Sequence, residues 1–156
     1  MLALSLMSVA LTLLALSSAV YATQPTPASG SWTVSRVLTS VHTADGNTIS
    51  TYEATYTFIG TFAGPCVGPS VITTHPDKTV TFHGTCTFTG TVGGSSTGSG
   101  VLTFAGIGDL TTRSFVGHAV LGDGSAGLAG LHATFVDTGT FGVGATYTGQ
   151  YHFDPS

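Results

Sequence analysis

Charge is what this sequence has least of. Its 156 residues include three lysines and arginines and seven aspartates and glutamates, so 6% are charged, against about 25% in an ordinary globular chain. The net charge is −4 with histidine neutral. Three scattered cations build no basic footprint for a phosphate backbone, which excludes nucleic acid as a partner. They also build no polybasic patch for an anionic membrane surface. Glutamate occurs once, at Glu53, and asparagine once, at Asn47. Thr48 and Ile49 follow Asn47, so no N-glycosylation sequon exists. Cysteine is confined to Cys66 and Cys86, with no CxxC spacing and no histidine at a zinc-finger distance. No stretch after residue 22 carries a helical period of useful length.

The apolar content is ample. Hydrophobic residues make up 42% of the chain and aromatics 10%, with a mean hydropathy of +0.40, which argues against disorder. Part of that hydropathy lies in residues 1–22, MLALSLMSVALTLLALSSAVYA, which carry no charge. The segment reads as a secretory signal peptide ending at Ala22, with an uncleaved helical anchor as the alternative. No lysine or arginine precedes Arg36, so the basic start usual in such signals is missing. The expected organisation is a signal at 1–22, a flexible Pro-rich lead-in at 23–30 and one domain at 31–156. The protein is then secreted or extracytoplasmic, with no membrane association after cleavage. An oxidising compartment favours a Cys66–Cys86 disulfide, worth roughly 3 kcal/mol by loop closure. Two buried thiols are the other reading.

Period-two alternation dominates the rest. Tyr52, Ala54, Tyr56, Phe58, Gly60 and Phe62 alternate with Glu53, Thr55, Thr57, Ile59 and Thr61. Val80, Phe82, Gly84, Cys86, Phe88, Gly90 and Val92 alternate with a histidine and five threonines. A helix cannot sort residues this way, whereas a half-buried antiparallel strand does. Gly-rich and Asp-Gly turns separate eight predicted strands: 32–43, 48–62, 67–74, 79–92, 99–106, 113–121, 128–137 and 145–153. The fold class is all-β. Glycines inside the 79–92 strand, on the face that carries phenylalanine, suit the sharp coiling of a small closed eight-stranded barrel.

Three segments carry a family resemblance: Ile59-Gly60-Thr61-Phe62-Ala63-Gly64, Phe88-Thr89-Gly90-Thr91-Val92-Gly93-Gly94 and Gly124-Ser125-Ala126-Gly127-Leu128-Ala129-Gly130-Leu131. In the last, His132 stands where a further glycine is expected. The pattern over 31–153 resembles the allene oxide cyclase-type barrels, and among them the bacterial branch known as domain of unknown function DUF3224. The resemblance implies a small antiparallel barrel and no settled activity. The plant cyclases isomerise a fatty-acid-derived epoxide, and none of their catalytic residues aligns with this chain.

Two motifs imitate catalytic signatures. Gly122 to Gly127 fits GxGxxG, but its continuation reads as strand rather than the helix a dinucleotide needs. Gly94 to Gly98 fits GxSxG, but lies in a loop between strands rather than at a strand-to-helix elbow. The six histidines show no HxH or HxxxH spacing, so no metal site and no cofactor is expected. Cross-strand pairs such as His83 with His132 or His152 depend on register. Glu53 and His118 are the candidates for acid–base chemistry, with a solvated outward position as the alternative. Arg36 and Arg113 could each hold a ligand carboxylate in a bidentate fork, or pair across strands.

The aromatic face is the richest constellation. Tyr52, Tyr56, Phe58, Phe82, Phe88, Tyr147 and Tyr151 interleave with glycines and are the expected ligand-binding set, unless the rings close into a filled core. The sequence thus points to a barrel that binds a small lipophilic molecule. The alternatives are a cyclase-like isomerase, and an interaction module whose low-charge, Thr-rich exterior associates into small homo-oligomers.

Overall fold

A computed structural model describes residues 24–155. The predicted signal helix at 1–22 lies outside these residues. Eight strands follow one another: β1 (Thr26–Ala44), β2 (Asn47–Gly60), β3 (Phe62–Thr74), β4 (Thr79–Val92), β5 (Gly98–Asp109), β6 (Ser114–Ala126), β7 (Leu131–Thr140) and β8 (Gly144–Phe153). Each pairs antiparallel with the next, and β8 pairs with β1, so the sheet closes into a barrel.

The alternation sorts the two faces. Along β2, Ala54, Tyr56 and Phe58 are buried while Glu53, Thr55, Thr57 and Ile59 are exposed. Along β7, Leu131, Ala133, Phe135 and Asp137 are buried while His132, Thr134, Val136 and Thr138 are exposed. Threonine on the wet face keeps its branched Cβ against the pleat and its hydroxyl in water.

Prolines and glycines account for the strand ends that differ from expectation. The lead-in predicted at 23–30 is largely strand, since Thr26–Thr33 pair with Gly144–Tyr151 and Ala28 is buried. Pro27 is tolerated there because this stretch pairs with β8 alone; pairing with β2 begins at Gly30. β3 begins at Phe62, five residues before its expected start. Pro65 and Pro69 fall in gaps of the β3–β4 ladder, which runs through Ala63, Cys66, Val67 and Ser70. β6 runs through Gly122–Ser125, expected as a turn, and the reversal comes at 127–130.

The turns after β1, β3, β5 and β7 gather at one end of the barrel, called here the upper end. The lower end holds the other turns and both ends of the described chain. In the lower half the interior is filled. The Phe58 ring meets Phe62, Phe88, Phe135 and Tyr147 edge-on, at centroid distances of 6.5, 6.0, 6.1 and 5.9 Å. Cys66 and Cys86, both facing inward, form a disulfide between β3 and β4 with a Cα–Cα distance of 5.5 Å. Residues 34–44 of β1 outrun β8 and pair with β2 only.

Candidate functional site

Above the Phe58 layer the packing loosens into a cavity of about 40 Å³. Trp32, Tyr56, Phe58, Leu102, Ala119 and Phe135 line its deeper part, and Ile72, Phe82, Phe104, Phe115 and Phe141 line it towards the upper end. Rings brace one another around it. Trp32 stacks on Phe115 at 5.7 Å and takes Tyr56 edge-on at 5.4 Å, while Phe141 tilts against Phe115 at 5.1 Å. Ile72, Phe82, Phe104 and Phe141 are half-buried, so the mouth is apolar. The closed volume suits a few water molecules or one compact chemical group, well below the several hundred Å³ that encloses a whole drug-sized ligand.

Three polar side chains break the apolar wall: Arg36 from β1, Ser70 from β3 and Asp137 from β7. Each occupies an inward position of its strand, following Trp32 and Val34, Cys66 and Gly68, and Ala133 and Phe135. Ser70 is only 2% exposed, and its hydroxyl has no hydrogen-bond partner. The buried Nε of Arg36 has none either. The Arg36 guanidinium stands 6.0 Å from the centre of the Tyr52 ring. Among the described residues, the one ion pair within 4.0 Å is His132–Asp154, so Arg36 and Asp137 share a cavity without touching. Burying polar atoms without partners is costly.

Burial also sets the protonation of this neighbourhood. Asp137, 5% exposed, has its carboxyl pushed up to about 6 by desolvation, opposed weakly by its own backbone N–H and by His118. Burial likewise raises the Tyr56 phenol. The nearby Ser70 hydroxyl and the Arg36 charge lower it, and Asp137 raises it further. The Tyr56 and Ser70 side chains are close enough to influence each other, yet Ser70 Oγ lacks a bond of normal geometry.

The expected ligand-binding set divides. Tyr56, Phe58 and Phe82 line the cavity. Tyr52 lies outside the lining, against Arg36. Phe88 and Tyr147 belong to the filled lower half. Tyr147 is a strut: its hydroxyl accepts the Phe62 N–H at 2.9 Å and passes so close to Gly30 that no side chain fits there. Tyr151 sits at the lower end, half-buried against Phe153. Glu53 and His118 occupy outward positions and are exposed, so neither reaches the cavity. Neither glycine motif opens a helix.

The sequence matches no family model and no curated protein. Among solved structures, the chain is similar to a DUF3224-family protein of unknown function from Shewanella oneidensis MR-1. The TM-score is 0.71 at 19% identity, over 85% of this chain and all of that one. The likeness is one of fold. It meets the barrel that the DUF3224 resemblance implies and brings no activity with it.

The expected ligand-binding set missed most of the lining, including Trp32, Leu102, Phe115, Phe135 and Phe141 among the apolar residues and Ser70 and Asp137 among the polar ones. The signal for Ser70 and Asp137 was available, because each is a polar residue at an inward position of an alternating strand. Convergence was not available, since it depends on how the strands stagger around the ring.

Proposed function

We propose that the protein binds a small, largely apolar molecule at the upper end of the barrel and does not transform it. The supporting observation is that Ser70 and Arg36 line an aromatic recess and that each carries a buried polar atom, Oγ and Nε, without a hydrogen bond of normal geometry to the protein. A ligand carbonyl or carboxylate would satisfy both, since each can donate a hydrogen bond. The recess admits this compact end. The apolar body would rest on Ile72, Phe82, Phe104 and Phe141 at the mouth, where rings offer flat contact area. The chain is read as an exported protein, on its apolar first 22 residues and the Cys66–Cys86 bridge; the mature protein would then begin at Thr23.

Trp32 is the single tryptophan and lines the recess, so its fluorescence reports on the site directly. Titration with 1-anilinonaphthalene-8-sulfonate, an apolar anion, should quench Trp32 saturably. Arg36→Met and Ser70→Val should each weaken this binding severalfold. Quenching that does not saturate, or that both variants leave unchanged, would count against the reading.

A second reading, association between copies of the chain, is favoured by the part of β1 that outruns β8. Val37, Leu38 and Val41 there are 67%, 53% and 52% exposed, and no lysine guards the open ladder. Sedimentation at rising concentration tests it; a monomer throughout would remove it.

A further inference from the structure

A different group of side chains, on the outer wall near the lower end, carries an inference independent of the cavity. His132 on β7 and His152 on β8 are directly opposite each other in the antiparallel register. Both occupy outward positions, and their rings stack with centroids 5.1 Å apart and planes 19° from parallel. Asp154 follows β8 immediately and is tied back by its backbone N–H, which donates to the Gly130 carbonyl at 2.8 Å. That tether brings its Oδ2 to 3.2 Å from His132 Nε2. One ligand atom from each of the three residues lies within 4.8 Å of the other two. Among the described residues, no other three such groups come this close.

We propose that His132, His152 and Asp154 form a binding site for one divalent late transition-metal ion, with zinc(II) as the ion that fits most simply. Two imidazoles and a carboxylate give a nitrogen-rich donor set of intermediate softness. Zinc, copper and nickel take such a set, while calcium and magnesium, which prefer oxygen throughout, do not. Ligand atoms about 2.1 Å from a tetrahedral ion lie about 3.4 Å from one another. The imidazole lone pairs lie in the ring planes, so the His132–His152 stack opens when both rings turn to one ion; the His132 and Asp154 side chains, 57% and 59% exposed, have room to do so. Water completes the coordination. The backbone places the three residues together before metal arrives: adjacent strands set the two histidines side by side, and the Gly130 hydrogen bond positions Asp154 next to them.

The test is calorimetric titration of the full-length protein with zinc(II) at pH 7.5, because protons compete with the metal for its ligands. One ion per chain is expected, with a dissociation constant in the micromolar range, on the order of that of an exposed three-ligand site. His132→Ala and His152→Ala should each weaken binding about tenfold or more, and Asp154→Asn by a smaller factor. His118→Ala, remote on β6, should leave it unchanged. Cobalt(II) gives a second readout, a visible absorption band of four-coordinate cobalt that disappears in the His132→Ala/His152→Ala protein. The proposal is overturned if zinc does not bind saturably below about 1 mM, or if binding survives the double substitution. Either result leaves the reading of the upper cavity untouched.

Discussion

The Phe104 ring lies over Gly84, its direct cross-strand partner. A Cβ at Gly84 would stand 2.5 Å from Phe104 Cζ and 2.6 Å from the Pro69 carbonyl oxygen. The arrangement is reciprocal one step along, where Phe82 covers Gly106. Rings therefore spend part of their area on the bare backbone of the neighbouring strand, and the recess is what remains between them.

Gly84→Ala should destabilise the protein by roughly 1–3 kcal/mol, the usual cost of forcing a carbon into a packed interior. Urea denaturation followed through Trp32 measures it. In a Phe104→Ala background the added methyl should cost less but still cost something, because the Pro69 carbonyl belongs to the backbone and cannot swing aside. A fully neutral Gly84→Ala would show that the ring and β3 both give way freely.

Asp137 makes stability depend on pH with a definite sign. Its folded-state pKa, about 6, lies above the ordinary value of 3.8. The unfolded chain therefore releases this proton more readily than the folded one. Asp137 thus contributes fully below about pH 4, and that contribution fades as pH rises through 6. Asp137→Asn, neutral throughout, should gain on the parent protein across this window, by about 3 kcal/mol at most at pH 7. Parallel melting curves from pH 4 to 7.5 check it; a constant difference between the two proteins would refute the burial account.

The Cys66–Cys86 bridge spans 20 residues of sequence. Cys66→Ala/Cys86→Ala should lower stability by roughly 3 kcal/mol. A thiol reductant should shift the parent's urea midpoint towards that of the variant and leave the variant unmoved.

Tyr147→Phe removes the acceptor of the buried Phe62 N–H at the β2–β3 connection. A loss of about 1–2 kcal/mol is expected, with ligand binding at the upper end preserved. Weakened binding in this variant would instead place Tyr147 among the residues that shape the site.

Much of this fold is legible along the chain, because one face of β2 and β4 alternates without a break and the turns are written in glycine and Asp-Gly. Strand ends are less so. Pro27 and Pro65 read locally as breakers, yet each sits where its missing N–H is not needed, a fact fixed by neighbours distant in sequence. The same holds for the sites. Glu53 and His118 stand out by rarity or chemistry but point outward, whereas Ser70 and Asp137 look unremarkable until their inward positions are noticed. Arg36 was visible as a lone cation, but its companions on β3 and β7 were not. The His132–His152 pairing rests on a register that no local pattern specifies.

The order in which the strands meet has a consequence for how the ring assembles. Seven of the eight interfaces join strands consecutive along the chain and close by short turns. The eighth, the seam between Thr26–Thr33 and Gly144–Tyr151, joins the two extremes of the described polypeptide. Chain entropy is spent there in one long closure, so the open ribbon should zip first and the seam should latch last. Trimming the first few residues of β1 would then leave hairpins that form normally but a circle that does not shut.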